Sequence, residues 1–186
     1  MSDTIKVLGL VGSFRKAGYN GMALRAAIEL TPPGMLIETH DYRDIPFYHG
    51  DLEDESGIPA PVKALGEKIR AADALLIVTP EYNTSLPGLL KNALDWVSRE
   101  PQGSFAAKPV AVMGASPGSF GTVRAQQHLR EVLRNVGAQT MQRPQVTITL
   151  AEQRFSADGR LTDQDTRQHI GKLLVALGEW ARLLRK

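Results

Sequence analysis

The chain contains no cysteine. That absence excludes disulfide scaffolds, thiol nucleophiles, iron–sulfur clusters and cysteine-bound zinc. No apolar run approaches the roughly 18 residues of a membrane span. The opening, MSDTIKVLGLVGS, has no basic region ahead of its short apolar stretch, so no secretory signal is read there. These absences set the expectation of a cytoplasmic protein without membrane contact. Charge of one sign is also missing. Twenty-two basic and 20 acidic residues leave a net +2, too little for a general nucleic-acid binder. No internal repeat, low-complexity tract or linker interrupts the 186 residues. A single domain over 1–186 is expected, long enough to bury about 70% of its unfolded surface without a disulfide or metal. The charge is uneven, with −4 over residues 1–100 and +6 over 101–186. A basic second half could attract an anionic partner, and a solvated helix face explains it equally well.

What is present is hydrophobic pattern, 42% of the chain. Ile5–Val11, Ala74–Thr79 and Pro109–Gly114 are short runs apolar on both faces, the mark of buried parallel strands. Met35–Thr39 reads as a second strand, and Gln145–Leu150 as a fifth that could start near Ala138. Helical periodicity covers Asn20–Leu30, Pro61–Ala72, Leu89–Ser98, Thr122–Val136 and Asp163–Leu184. Tyr42–Gly57 shows no clear period and reads as a long loop. Strand–helix alternation of this kind predicts an α/β, doubly wound parallel sheet with helices on both faces. Ligands of such sheets bind beyond the carboxyl ends of the strands. The loops after strands one, three and four therefore carry the chemical reading.

The first of these is Gly12–Asn20, GSFRKAGYN. Amides at a helix start lack intrahelical acceptors and carry partial positive charge, so they bind anions. Ser13 adds a hydroxyl and Arg15 a fork of donors. Asn20 is either the helix N-cap or a further donor to the same anion. Neither the G-x-G-x-x-G dinucleotide spacing nor a Gly-Lys-Ser/Thr sequence occurs there, so the loop suits one terminal phosphate. The second loop, Thr79–Gly88, is rigidified by Pro80 and Pro87. Tyr82 supplies a flat face with a polar tip, and Asn83, Thr84 and Ser85 supply donors and acceptors. That combination suits a planar heterocycle.

These two segments, GSFRKAGYN and TPEYNTSLPGLLKNALDWVSR (Thr79–Arg99), resemble the NADPH-dependent FMN reductase family, which includes flavin, quinone, azo and chromate reductases. The resemblance continues through Arg124–Arg130 and covers essentially the whole chain. It implies a flavodoxin-like sheet of five strands in the order 2-1-3-4-5, bound FMN, and NADPH or NADH as reductant. It places the FMN phosphate on Ser13, Arg15, Tyr19 and Asn20. It places the isoalloxazine against Pro80, Glu81, Tyr82 and Asn83, mostly through backbone, with Ser116, Pro117 and Gly118 bordering the ring. The family often has Ser where this chain has Gly18.

The implied activity is hydride transfer from nicotinamide C4 to flavin N5, then reduction of a quinone, free flavin, azo compound or metal oxyanion such as chromate. With no second nucleotide fold, both substrates are expected to use one face in turn, giving ping-pong kinetics. No protein side chain is assigned a catalytic role. Arg15 or Arg99 could favour the 2′-phosphate of NADPH. The alternative is a flavodoxin-type electron carrier, against which stand the net charge and Arg15. A homodimer or homotetramer is implied, and the all-round apolar helix bearing Leu89, Leu90, Leu94 and Trp96 serves either an interface or the core.

Two other motifs carry less. Gly114–Gly118 matches the G-x-S-x-G of serine hydrolases, but Pro117 has no N–H to donate to an oxyanion hole. His40, His49, His128 and His169 lack metal-ligand spacing, with His128 and His169 read as surface or interface. Asp51, Glu53, Asp54 and Glu55 read as a solvated loop.

Overall fold

A computed structural model of the protein describes residues 4–185. Strand β1 (Ile5–Val11) lies between β2 (Met35–Thr39) and β3 (Ala74–Val78), and β4 (Pro109–Ala115) follows β3. All pairs are parallel. The fifth position beside β4 is filled by two short segments. β5 (Gln139–Thr140) pairs with Pro109 and Val110, and β6 (Val146–Ile148) pairs with Met113–Ala115. The order β2-β1-β3-β4-β5 is that of a flavodoxin-like fold. The expected single strand over Gln145–Leu150 is thus split. Between its two parts the chain leaves the ladder, and the Arg143–Pro144 bond is cis.

Side chains of the central strands alternate between two cores, as a period of two requires. Ile5, Val7, Ala74, Leu76, Val78, Ala111 and Met113 face α1 (Tyr19–Glu29) and α6 (Gln164–Leu184). Leu8, Leu10, Leu75, Ile77, Val110 and Val112 face α3 (Ala60–Ala71), α4 (Gly88–Ser98) and α5 (Val123–Asn135). Because both faces are covered, every residue of β3 and β4 is buried. Leu90, Leu94, Trp96 and Val97 of α4 are consumed by this core, so packing within the chain accounts for its apolar circumference. No helix among the described residues is long and apolar enough to cross a membrane.

The segment after β2 is not the structureless loop that its sequence suggested. It contains α2 (Gly50–Ser56), which buries none of its residues. Apart from Leu52, partly buried against the core, its anchors are polar: His49 Nδ1 accepts from Leu52 N–H at 3.2 Å, and Glu53 takes Tyr48 Oη–H at 2.9 Å and Arg99 Nε at 3.0 Å. Upstream, buried Tyr42 donates to the Val11 carbonyl at 2.7 Å, tying this segment to the end of β1. Burial, with nearby Asp41, pushes the Tyr42 phenol pKa upward.

Helix α6 shows how a single carboxylate terminates a helix. Asp163 Oδ1 accepts from Thr166 N–H at 2.9 Å and from the Thr166 hydroxyl at 2.5 Å, while Oδ2 accepts from Arg154 at 2.7 Å. The Thr166 hydroxyl and amide, with Arg154, hold the Asp163 carboxyl below its usual range. A depressed folded pKa gives stability that is complete above the unfolded value of about 3.9 and is lost as pH falls through the folded one. Asp163→Ala is therefore expected to cost about 1 kcal/mol at pH 7. Denaturant titrations at pH 7 and pH 3 should show the gap between variant and parent narrowing in acid.

Candidate active site

The loops after β1, β3 and β4 meet at the carboxyl edge of the sheet around a cleft of about 480 Å3. Ser13, Arg15, Tyr19 and Asn20 line one end. Pro80, Glu81 and Tyr82 line the other, with Ser116 and Pro117 between. Asn83 and Gly118, grouped with them from sequence, do not line the cleft. Asn83 sits at an exposed turn, and Gly118 is likewise exposed. A second hollow of about 530 Å3 lies between α5 and the split fifth strand, away from the strand ends of the central sheet.

At the first end, α1 begins without a side-chain cap. Its first backbone bond runs from Met22 N–H to the Gly18 carbonyl at 3.1 Å, leaving the amides of residues 19–21 without intrahelical acceptors. Arg15 is exposed and has no ion pair among the described residues. The turn into the helix is tight: Gly18 N–H donates to the Arg15 carbonyl at 3.0 Å, and a Cβ on Gly18 would stand 3.0 Å from that same oxygen. The missing serine hydroxyl thus comes with a closer turn. Ser13 Oγ lies 3.3 Å from Tyr82 Oη, linking the two ends of the cleft.

Asn20 lines the cleft but is not the helix N-cap. Gly18 is the N-cap residue. The Asn20 side chain is 4% exposed and pairs with one residue of β4: Nδ2 donates to the Ala115 carbonyl and Oδ1 accepts from Ala115 N–H, both at 2.9 Å. Its amide group is thus anchored to β4 through one of its two N–H bonds and its oxygen.

At the second end, Tyr82 and Ser85 exchange two backbone bonds at 3.0 and 3.1 Å across Asn83 and Thr84. Both central residues have positive φ, 49° and 64°, the geometry of the tightest hairpins. Tyr82 N–H is consumed in this turn, while the Glu81 and Asn83 amides have no partner within the described chain. Tyr82 remains 52% exposed. The Glu81 carboxylate turns from the cleft to α5, accepting from Arg124 N–H and Ala125 N–H at 3.0 Å each.

Ser116 is not a nucleophile. Its hydroxyl donates to the Gly121 carbonyl at 2.8 Å and accepts from Gly118 N–H at 3.2 Å, so it closes its own loop and has no histidine partner. Among the described residues no group of three or more His, Asp or Glu side chains could hold a metal. Arg99, considered for the nucleotide phosphate, is occupied by Glu53 on both carboxylate oxygens.

The fourth wall was not read from sequence. Glu152, Phe155, Ser156 and Ala157 line the cleft beyond β6. Phe155 is buried against Tyr19, with ring centroids 5.8 Å apart. The Ala151 amide bonds the Ser116 carbonyl at 3.0 Å, and Phe155 pairs with Leu161. Asp158-Gly159, flanked by these apolar residues, is the hairpin signal that could have exposed the wall.

A doubly wound sheet with an anion-ready helix end and an exposed aromatic at its switch point defines the class of flavodoxin-like nucleotide binders. The chain belongs to the NADPH-dependent FMN reductase family, whose model matches residues 5–153. It is 51% identical to an NAD(P)H-dependent FMN reductase of Pseudomonas aeruginosa and 40% identical to a quinone reductase of Escherichia coli K12, in each case over the whole of both chains. Among solved structures it is similar to FerB, a flavoenzyme NAD(P)H:(acceptor) oxidoreductase of Paracoccus denitrificans. The TM-score is 0.87 at 34% identity, over 97% of this chain and 98% of that one. The chain is thus an oxidoreductase whose cofactor is FMN and whose reductant is NAD(P)H.

Proposed function

We propose that the cleft at the carboxyl edge holds FMN and that the protein passes electrons from NAD(P)H to small acceptors there. The acceptors are quinones, free flavin, azo compounds and metal oxyanions such as chromate. The observation that carries this reading is the phosphate end of the cleft. Three helix-start amides, the Ser13 hydroxyl and an unpaired Arg15 converge on it, a donor set matched to one terminal phosphate dianion. Tyr19 and Phe155 wall that end. The ring would lie along Pro80, Glu81 and Tyr82, facing Pro117, with the free Glu81 amide available to its polar edge. Bound FMN supplies the redox chemistry, accepting hydride from reduced nicotinamide and delivering electrons to the acceptor.

The protein's part is to bind, orient and leave one face open. Tyr82 is the exposed aromatic at that face. One cleft of about 480 Å3 leaves the nucleotide and the acceptor to enter in turn, the basis for ping-pong kinetics. We also propose that the protein acts in the cytoplasm, where NAD(P)H is supplied. It would act there as a homodimer or homotetramer, since Phe47 and Phe120, 78% and 66% exposed, invite a cover.

Purified protein is expected to be yellow, and anaerobic NADPH should bleach it. Quinone and chromate added in turn should restore the colour. Protein that stays colourless and inactive after incubation with FMN would overturn the reading.

A further inference from the structure

Helix α5 has no cap of its own. Thr122 precedes it, yet its Oγ1 accepts from the Gln126 side chain at 3.0 Å and takes no backbone amide of the first turn. The acceptor comes from 43 residues upstream. Glu81 Oε2 takes both the Arg124 and Ala125 amides at 3.0 Å, and Oε1 takes the Arg124 guanidinium at 3.3 Å. A carboxylate at a helix N-terminus satisfies orphan donors and the helix dipole together. One turn further along α5, His128 Nδ1 meets Ser85 Oγ at 3.0 Å. The two ends of the Glu81–Ser85 hairpin are therefore pinned to one helix face.

The pinning has something to hold. Between the pins lie Asn83 and Thr84 at positive φ, a region costly for a β-branched residue such as Thr. Strained backbone of this kind persists only when its surroundings over-determine it. Arg124 extends the linkage, its guanidinium lying 5.0 Å over the exposed Phe120 ring of the loop after β4. The backbone of Pro80–Tyr82 lines the cleft, while the side chain that fixes it points out of the cleft.

We infer that Glu81 is a positioning residue, whose carboxylate caps α5 in order to hold the Pro80–Tyr82 backbone and the Tyr82 ring in the geometry that the flavin ring requires. The inference rests on the FMN reading above, and its contribution is to assign the side chain a task distinct from the backbone around it.

The test compares Glu81→Ala and Glu81→Gln with Asp73→Ala, which removes a carboxylate that takes the Lys6 amide and Arg185 just before β3, at the edge of the sheet opposite the cleft. Each protein is isolated with FMN, and FMN dissociation constants, visible circular dichroism of the bound flavin and melting midpoints are recorded. Both alanine variants should melt earlier. Only Glu81→Ala should raise the FMN dissociation constant, by about tenfold for the loss of a charged cap, with altered visible dichroism. Glu81→Gln keeps an acceptor for both amides and should recover most of the affinity. Wild-type affinity and dichroism in Glu81→Ala would overturn the inference, as would an equal affinity loss in Asp73→Ala. A parent protein that binds no FMN would instead overturn the functional reading.

Discussion

Gly114→Ala is expected to remove the folded protein from solution, or to lower its melting midpoint by roughly 10 °C, the shift that about 3 kcal/mol produces in a chain of this size. A Cβ built on Gly114 falls 2.1 Å from the Thr79 carbonyl oxygen, 2.2 Å from Thr122 Oγ1 and 3.1 Å from Thr122 Cβ. The Thr79 carbonyl belongs to the backbone at the end of β3 and cannot rotate aside. Its own amide is bonded to the Met113 carbonyl at 2.9 Å, directly before Gly114. Thr122 is fully buried, and Gly114 also pairs with Thr147 of β6. Relief would require β3 and β4 to part where the cleft begins. Forced overpacking in a core typically costs 1–3 kcal/mol, and about 3 or more when backbone must move, a large share of an ordinary domain's stability. Gly171→Ala is the matched control, since nothing lies within 4 Å of a Cβ there and Ala is the better helix former. Equal melting midpoints for Gly114→Ala and the parent would refute the close approach.

The same glycine shows what a sequence carries and what it conceals. In one dimension Gly114 ends the apolar run Pro109–Gly114 and opens a G-x-S-x-G pattern. In three it is the sixth residue of β4, chosen for the space its neighbours deny. The central strands were legible because β1, β3 and β4 are apolar on both faces, a property each segment shows alone. The helices were legible to within a residue or two for the same reason. The split of the fifth strand was not, since residues 139–148 alternate weakly and the pairing is decided by where β4 offers bonds. Helix α2 was hidden because it sets only Leu52, partly buried, against the core; its other support is Glu53, whose partners Tyr48 and Arg99 lie 5 and 46 residues away.

The site divides along the same line. Positions at the ends of buried strands could be read, so Ser13, Arg15, Tyr19, Pro80, Tyr82 and Pro117 fall on the cleft. What each side chain does depends on partners that sequence does not announce. Glu81 turned outward to α5, Ser116 closed on its own loop, and Arg99 was taken by Glu53. The wall from Glu152 to Phe155 was overlooked because a hairpin of mixed polarity beyond the last strand has no period to follow.

Asn20 yields the second large prediction, because its two candidate roles give opposite results. As a donor to phosphate, its side chain would matter to FMN and little to the fold. As a clamp, it matters first to the fold. Its amide presents one donor and one acceptor to the backbone of Ala115, 95 residues away. This joins the first turn of α1 to the end of β4, in a site only 4% exposed. Asn20→Asp preserves shape but sets a second oxygen against the Ala115 carbonyl and buries a charge. About 3 kcal/mol or more should be lost at neutral pH. Burial raises a carboxyl pKa, and the introduced carboxyl, once protonated, could donate to that carbonyl. The deficit should therefore be smallest below the unfolded value of about 3.9, grow as pH rises past it, and be complete above the raised folded pKa. Asn20→Ala, which leaves one N–H and one C=O unpaired, should cost about 2 kcal/mol with little dependence on pH. Urea unfolding of the three proteins at pH 5 and pH 8 separates the cases. An Asn20→Asp protein as stable as the parent at pH 8, with only its FMN affinity impaired, would return Asn20 to the phosphate and leave the α1–β4 junction to be held by packing alone.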